Sequence, residues 1–536
     1  MPNLSRDEFA SFVGAQRRLH ADRTIAVPMC LRLLSDQLTP VLAYRRLVAR
    51  DDRSAPSFLL ESVEGGERQG RHSILGAQPS EEIIARGELP LTVHTHRPRT
   101  PTARTAPLDT RDPFTLLRHR TRHIVLARPP RRGVKDELPS CVLGGWFGYA
   151  AYDSVRYAEP AKLPFSYAPP DDRGLPDLHF GFYEGVVVFD HVDKIVFVVR
   201  LASVGPGDDP GAIYDATVDE LRYWTAMIER HSKPLPSGLV PREAAPGPMP
   251  SNMTREQHRA MLANAAEFIR AGDVFQVVLG QRFERTSAAD PFDVYRALRA
   301  VNPSPYMVYM QCEGCILVAS SPEILCRVRR EGDSFIVTNR PLAGTRRRGG
   351  TPQEDQALER ELLADQKERA EHIMLVDLGR NDVGVVARPG SVRLPAVMEV
   401  ERYSHVMHIS STVTGELREG LDCWDALRAA LPVGTISGAP KVRAMQVIDQ
   451  LEPIRRGPYG GGMGYAGLDG QMDIALALRT MVVPFARRTA DAWVYHLQAS
   501  GGIVADSNPD DEFLETVNKA AALARAITVA EQAFGT

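Results

Sequence analysis

Two Glu-x-x-Glu patterns hold the residues of this chain best placed to do chemistry. Glu368 and Glu371 lie in KERAEHIMLVDLGRND, and Glu512 and Glu515 lie in SNPDDEFLET. In a helix, residues three apart share a face, so each pattern sets two carboxylates side by side. Like charges at that spacing repel, and a hard cation between two such helices would relieve the repulsion. An oxygen-only ligand set without Cys or His suits Mg²⁺, which keeps waters and leaves positions open to substrate oxygens. The competing reading is two solvated helix faces. Two patterns, each beside an unusual polar or Gly-rich run, favour the metal.

The elements that must carry these carboxylates are legible nearby. Thr351-Pro352-Gln353-Glu354 is a capping box with Pro at the first helical position, followed by Leu358, Leu362 and Leu363 at helical spacing. Asn508-Pro509-Asp510-Asp511 opens the second helix with a cap, a Pro and acids at its positive end, and Leu514, Val517 and Ala521 continue it. Thr254-Arg255-Glu256-Gln257 caps a third helix, with Leu262, Phe268 and Ile269 on it. The strand expected next spans 273–284, with Phe275, Val277, Leu279 and Phe283 on one side and Gln276, Val278 and Arg282 on the other. In the N-terminal half, 212–230 reads as a helix with Tyr214, Val218, Leu221 and Ile228 on one face. GVVVFDHVDKIVFVV reads as a hairpin turning near Asp193.

The chain has 536 residues, 43% hydrophobic and 24% charged, with a net charge of −3. It is long enough for two domains or one large composite, and its charge leaves no nucleic-acid footprint. The basic run from Arg118 to Arg132 is broken by apolar residues and two prolines, and reads as a solvated edge. Six cysteines in this length suggest a reducing compartment. Cys312-x-x-Cys315 has no second pair to complete a zinc site. The N-terminus lacks the apolar core of a signal peptide, and no run is long enough to span a membrane. A Pro-rich stretch divides the chain into residues 1–233, a linker at 234–252, and residues 253–536. Strands and helices mix without a strict βαβ rhythm, which predicts an α+β fold of large, mainly antiparallel sheets with helices outside. Gly462-Met463-Gly464-Tyr465-Ala466-Gly467 matches GxGxxG. A Pro-Gly turn precedes it and a strand pattern follows, so a dinucleotide site is not expected.

The C-terminal half resembles the chorismate-utilising enzymes, and the whole chain resembles the anthranilate synthase component I family. The segments that carry this are GDVFQVVLGQRF, NPSPYM, ASSPEILCRV, RPLAGTRRRG, ERAEHIMLVDLGRND, ERYSHVMHISSTVTGEL, PVGTISGAPKVRAMQVID, RGPYGGGMGY, IALALRT and SGGIVADSNPDDEFLET, in the family's order. FLLES and GGWFGYAAYD extend the resemblance into the first half.

The resemblance implies a sheet sandwich with helices outside, and a reaction in which chorismate and ammonia give anthranilate and pyruvate. It implies Mg²⁺ on Glu371 and Glu515, with Glu368 and Glu512 as supporting or water-mediated ligands. It implies Glu323 as general acid and His408 as general base, with His405 as a rival histidine. Substrate contacts are implied at Gly344, Thr345, Thr435, Tyr459, Arg479, Ser500, Gly501 and Gly502. Arg479 would make a bidentate carboxylate contact, and the loop Ser437–Pro440 would open a helix toward an anion. A tryptophan site is implied around Leu60, Glu61 and Ser62 with Pro305, Tyr306 and Met307. Gln276 stands where isochorismate synthases place Lys, and Ala343 where aminodeoxychorismate synthases commonly do. Both point to the anthranilate branch. The alternatives are aminodeoxychorismate synthase and a non-catalytic tryptophan- or chorismate-binding regulator.

None of Cys30, Cys141, Cys312, Cys315, Cys326 or Cys423 has the GxCxG setting of this pathway's glutaminases, and no further domain is expected after Thr536. The resemblance therefore implies a separate glutamine amidotransferase subunit, a hetero-oligomer, a cytoplasmic setting, and no nucleic-acid or membrane partner.

Overall fold

A computed structural model describes residues 2–34, 36–48, 55–64, 68–96, 110–130, 138–231, 234–242, 244–403 and 406–535. His405 lies outside the described residues, as do Arg131 and Arg132 of the basic run. Among the described residues, a twelve-stranded sheet and an eleven-stranded sheet hold most of the strands, and the ladders are antiparallel apart from the parallel pairing of Thr24–Leu34 with Ile124–Leu126.

The two halves of the chain meet inside both sheets. Ser57–Glu61 pairs with Tyr306–Cys312, with Met307 opposite Glu61. Gly145–Ala150 pairs with Gly462–Gly467 in the other sheet. The GxGxxG run is thus a central strand, and its partner on the other side is Met472–Leu476.

Side-chain alternation explains how the sheets stack. Along Tyr306–Cys312, Val308, Met310 and Cys312 enter the layer between the sheets, while Met307 and Tyr309 face the helices. The inter-sheet layer includes Phe58 of one sheet stacked on Phe147 of the other, with ring centroids 4.0 Å apart. On the outer face of the first sheet pack Arg6–Leu19, Pro40–Leu47, Pro210–Ile228, Pro291–Val301 and Pro509–Phe534. Pro113–Thr121, Gln366–Val386 and Cys423–Ala430 cover the second. This is an α+β sandwich with helices outside, as the sequence predicts.

Helix starts follow their caps. Ser5 and Thr254 form reciprocal capping boxes. Thr351 caps Pro352–Ala364, but the Glu354 carboxylate turns to Gly350 N–H and Arg347 instead of closing a box. Asp365 ends that helix and caps Gln366–Val386, so the first carboxylate pair rides on a separate helix. Asn508 caps Pro509–Phe534. The hairpin is Gly185–Asp190 with Ile195–Val204, and the helix expected at 212–230 is Pro210–Ile228.

Two expected apolar positions are not buried. The strand begins at Gln276, which leaves Phe275 75% exposed, and Leu514 is 50% exposed. The last helix instead buries Thr516, Ala520, Leu523 and Ile527, one residue-step around from Leu514. The described residues of 234–250 form no regular element but are tied down: Thr528 Oγ1 donates to Ala245 O at 2.8 Å, and Arg296 donates to Pro236 O at 2.7 Å. Cys312 and Cys315 face each other across a tight hairpin, both buried. No helix among the described residues is long and apolar enough to cross a membrane.

Candidate active site

The strand Cys315–Ser321 runs out into Pro322 and Glu323, and burial dictates the state of that carboxyl. Glu323 is 4% exposed, and desolvation pushes it up to about 8. Its Oε1 accepts from Thr435 Oγ1 at 3.0 Å, which holds the side chain without charging it. Thr435 sits in the short turn Gly434–Ile436. At neutral pH this is a carboxylic acid with a proton to give.

His408 comes from Val406–Glu416, which pairs with Leu342–Arg347. Its Nδ1 lies 3.1 Å from Gly344 O and 3.0 Å from Thr345 Oγ1. A carbonyl oxygen only accepts, so Nδ1 carries the proton and Nε2 is bare. Nε2 is buried and has no partner. Burial first, and the Arg479 charge second, pull the imidazole down to about 4. The ring packs edge-on against Tyr403, with centroids 5.6 Å apart.

Arg479 is itself unusual. Its φ of +46° is a left-handed conformation that a non-glycine residue adopts only when its surroundings impose it. Its carbonyl accepts from Ser320 N–H at 3.1 Å, three residues before Glu323. Its guanidinium makes no ion pair among the described residues, and desolvation lowers its pKa. A desolvated guanidinium without a carboxylate partner has the chemistry to receive an anion.

The two carboxylate pairs converge on one glycine-lined strand end. Gln276 Nε2 donates to Glu371 Oε1 at 3.3 Å. Burial, then the charges of Glu368 and Glu515, raise Glu371. Glu512 is raised by burial and, beyond its bond from Ser507, by Glu515. Glu512 Oε2 is buried without a partner. A Cβ at Gly501 would meet that oxygen at 2.7 Å, and one at Gly502 would meet Gln276 Nε2 at 2.4 Å. A side chain at either glycine would push aside the Glu512 carboxylate or the Gln276 amide. Among the described residues no three of these groups close into a direct metal cage. Mg²⁺ takes one or two carboxylates and keeps water elsewhere, so mutually repelling oxygen donors with one buried orphan fit it.

Tyr459 OH and Ser500 Oγ share a hydrogen bond inside this wall. The loop before helix Lys441–Leu451 is partly committed: Gly438 and Ala439 pair with Val277 and Gln276. Three residues escaped the sequence reading. Lys519 Nζ lies 2.6 Å from Glu515 and donates to Ser500 O at 2.9 Å. Its i,i+4 spacing from Glu515 was the available signal. Arg346 binds Glu361, Asp365 and Glu368 at 2.8, 2.8 and 3.1 Å, fixing Glu368 to the strand that carries Thr345. Tyr403 had no signal in its spacing.

The second expected cluster assembles at the joint between the chain halves. Glu61, 7% exposed, accepts from Tyr295 OH at 2.7 Å and pairs with Arg299 at 2.7 Å. Val63 N–H donates to Ser304 O at 3.1 Å and Gly70 N–H to Ser62 O at 2.7 Å. Tyr306 OH donates to Asp473 at 2.8 Å and accepts from Arg327 at 2.6 Å. Ser62 and the segment Pro305–Met307 are therefore neighbours.

A family model for chorismate binding enzymes matches residues 56–525. The chain is 50% identical to the chloroplastic anthranilate synthase alpha subunit 2 of Arabidopsis thaliana, over 99% of this chain and 85% of that one. It is 46% identical to anthranilate synthase component 1 of Thermus thermophilus, covering 93% of this chain and 97% of the other. The crystal structure of anthranilate synthase component I from Streptococcus pneumoniae superposes with a TM-score of 0.68 at 33% identity, over 92% of this chain and 99% of that one. The chain belongs to the chorismate-binding enzymes, in their anthranilate synthase component I branch.

Proposed function

We propose that this chain is the large subunit of an anthranilate synthase, converting chorismate and ammonia to anthranilate, pyruvate and water. The observation that carries the chemistry is the pairing of a buried carboxyl kept protonated near neutrality, Glu323, with an imidazole whose Nε2 is bare, His408. Ammonia adds at C2 of the ring as the C4 hydroxyl leaves, taking a proton from Glu323 to depart as water. The ammonium formed at C2 gives up a proton, which restores the acid. His408 then removes the C2 hydrogen as the C3–O bond breaks, the expelled enolpyruvate takes up one proton in place of the one His408 accepts and becomes pyruvate, and the ring becomes aromatic.

Arg479 receives the enolpyruvyl carboxylate. Pairing it with an anion removes the positive charge that helps depress His408, so bound substrate makes the base stronger. Gly344, Thr345, Thr435, Tyr459 and Ser500–Gly502 line the substrate. Glu371 and Glu515 would hold Mg²⁺, with Glu368 and Glu512 behind them. The bound ion supplies Lewis-acid charge to the ring carboxylate.

The test is a pH profile. The active form of Glu323 is protonated, so that requirement is met below about 8 and lost above it. The active form of His408 is neutral, so that requirement is met above about 4 and lost below it. With rates expressed per free NH₃, kcat/KM is expected to hold a plateau between these limits. Glu323→Gln is expected to lower it by about two to four orders of magnitude, and its residual rate is expected to lack the alkaline limb. An unchanged limb in that variant excludes Glu323 as the acid.

Feedback by tryptophan is proposed at the second cluster. Its route to the active site is short. Tyr306 pairs with Ser321, and Ser304 Oγ donates to Ser321 O at 2.9 Å. Glu323 lies two residues on, and Ser320 holds Arg479. A ligand that moves the Pro305–Met307 segment bears directly on the acid and the anion receptor. Ser62→Arg fills the site with a long cation, so uninhibited activity within about twofold and strongly weakened tryptophan inhibition are expected. Native inhibition in steady-state assays of this variant places the effector elsewhere.

A further inference from the structure

The acid of the proposed reaction is held by one side chain, Thr435, and Thr435 rides on the short turn Gly434–Ile436. The bonds inside that turn are long: Ile436 N–H donates to Val433 O at 3.2 Å and Ser437 N–H to Gly434 O at 3.3 Å. A much shorter bond reaches it from 20 residues further along the chain.

That bond comes from Arg456, which is 2% exposed. Its Nη1 donates to Ile436 O, the carbonyl next after Thr435, at 2.6 Å. Its Nη2 donates to Val278 O at 2.6 Å. Nε and Nη2 also grip the Glu452 carboxylate, at 2.9 and 2.6 Å. Glu452, 5% exposed, accepts in turn from Gly280 N–H at 3.0 Å. The sheet explains why a charged pair is buried here. The two-residue strand Gly438–Ala439 pairs with Gln276 and Val277 at the start of Gln276–Ser287 and then ends. Val278 O and Gly280 N–H lie past its end, and a buried backbone group without a partner is costly. Arg456 and Glu452 supply the partners that a longer strand would have given. The remaining arm of the guanidinium ties the turn to the strand whose Gln276 amide bonds Glu371.

We infer that Arg456 is a positioning residue for the acid: through Ile436 O it fixes the turn, and through the turn it holds Thr435 Oγ1 on Glu323. The inference rests on the reading of Glu323 as the proton donor. A lysine at this place keeps a charge beside Glu452, but its single ammonium cannot span two carbonyls and a carboxylate as the planar fork does. The turn then loosens and the Thr435 bond is lost. Burial raises Glu323 and the Thr435 bond lowers it, and no charged group among the described residues acts on it. Losing the bond therefore raises the acid further, and its protonated form persists to higher pH.

The experiment records the pH profile of kcat/KM for anthranilate formation, per folded enzyme and per free NH₃, in Arg456→Lys, Thr435→Val and the double variant. Arg456→Lys is expected to lose about ten- to a hundredfold. Its alkaline limb is expected to move up by about one pH unit, as in Thr435→Val. In the Thr435→Val background, Arg456→Lys should cost less than about a further twofold, because the contact it supports is already gone. Should Arg456→Lys not fold, the neutral pair Arg456→Gln, Glu452→Gln, which buries no charge, takes its place with the same expectations. An arginine that only stabilises the fold would scale the whole profile and leave the limb in place. A limb at its native position in the Arg456 variant, or losses that multiply in the double variant, overturns the inference. A native chain that makes no anthranilate, or an alkaline limb that persists in Glu323→Gln, overturns the reading of the acid instead.

Discussion

Glu371→Gln is expected to cut anthranilate formation by about three orders of magnitude or more, equivalent to roughly 4 kcal/mol of lost transition-state stabilisation. The fold should survive and even gain slightly without metal. Glu371 is raised by burial and by Glu368 and Glu515, so its charged form is strained in the metal-free protein. An amide removes that repulsion and keeps the shape and the neighbour, Gln276. The same change removes an anionic oxygen from the proposed cation site, so binding of Mg²⁺ or Mn²⁺ by calorimetry should weaken greatly. Glu515→Gln should share the loss of activity and metal. It also frees Lys519, now 2.6 Å from that carboxylate, to press on the site. Native activity with native Mg²⁺ dependence in either variant removes these residues from the metal site.

His408→Met is the second large effect, and it should fall on one step only. Amination draws on Glu323 and on ammonia's own lone pair; elimination needs the C2 proton removed. Methionine fills the buried space but cannot take a proton, and general-base catalysis is worth about two to four orders of magnitude. Chorismate should still be consumed while aminodeoxyisochorismate accumulates. The variant also leaves Gly344 O and Thr345 Oγ1 without their imidazole partner, so a modest stability loss, about 1 kcal/mol, accompanies it.

The residues that carry local rules could be read in sequence. Caps at Thr254, Thr351 and Asn508 depend on neighbours two or three residues away, and the hairpin over 185–204 on alternation, so both were legible. The carboxylate pairs were visible because repulsion at helical spacing is itself a signal. Roles for Glu323, His408 and Arg479 came from family resemblance, because an isolated acid, histidine or arginine carries no pattern. Their peculiarities are tertiary: Glu323 is desolvated by residues distant in sequence, and the tautomer of His408 is set by a carbonyl 64 residues away. Phe275 and Leu514 were misassigned because the strand starts three residues later than expected and the buried stripe of the helix is displaced by one residue, which turns both apolar side chains outward. Lys519 and Arg346 were missed because cations near acids look like ordinary surface pairs until the backbone places them beside Ser500 and Thr345.

The central claim is decided by chromatography of the products formed from chorismate, ammonium salt and Mg²⁺ by the native chain and its His408→Met variant. The account predicts fluorescent anthranilate with equimolar pyruvate from the native chain, and aminodeoxyisochorismate from the variant. Aminodeoxychorismate from the native chain, or no turnover of chorismate at all, would contradict it.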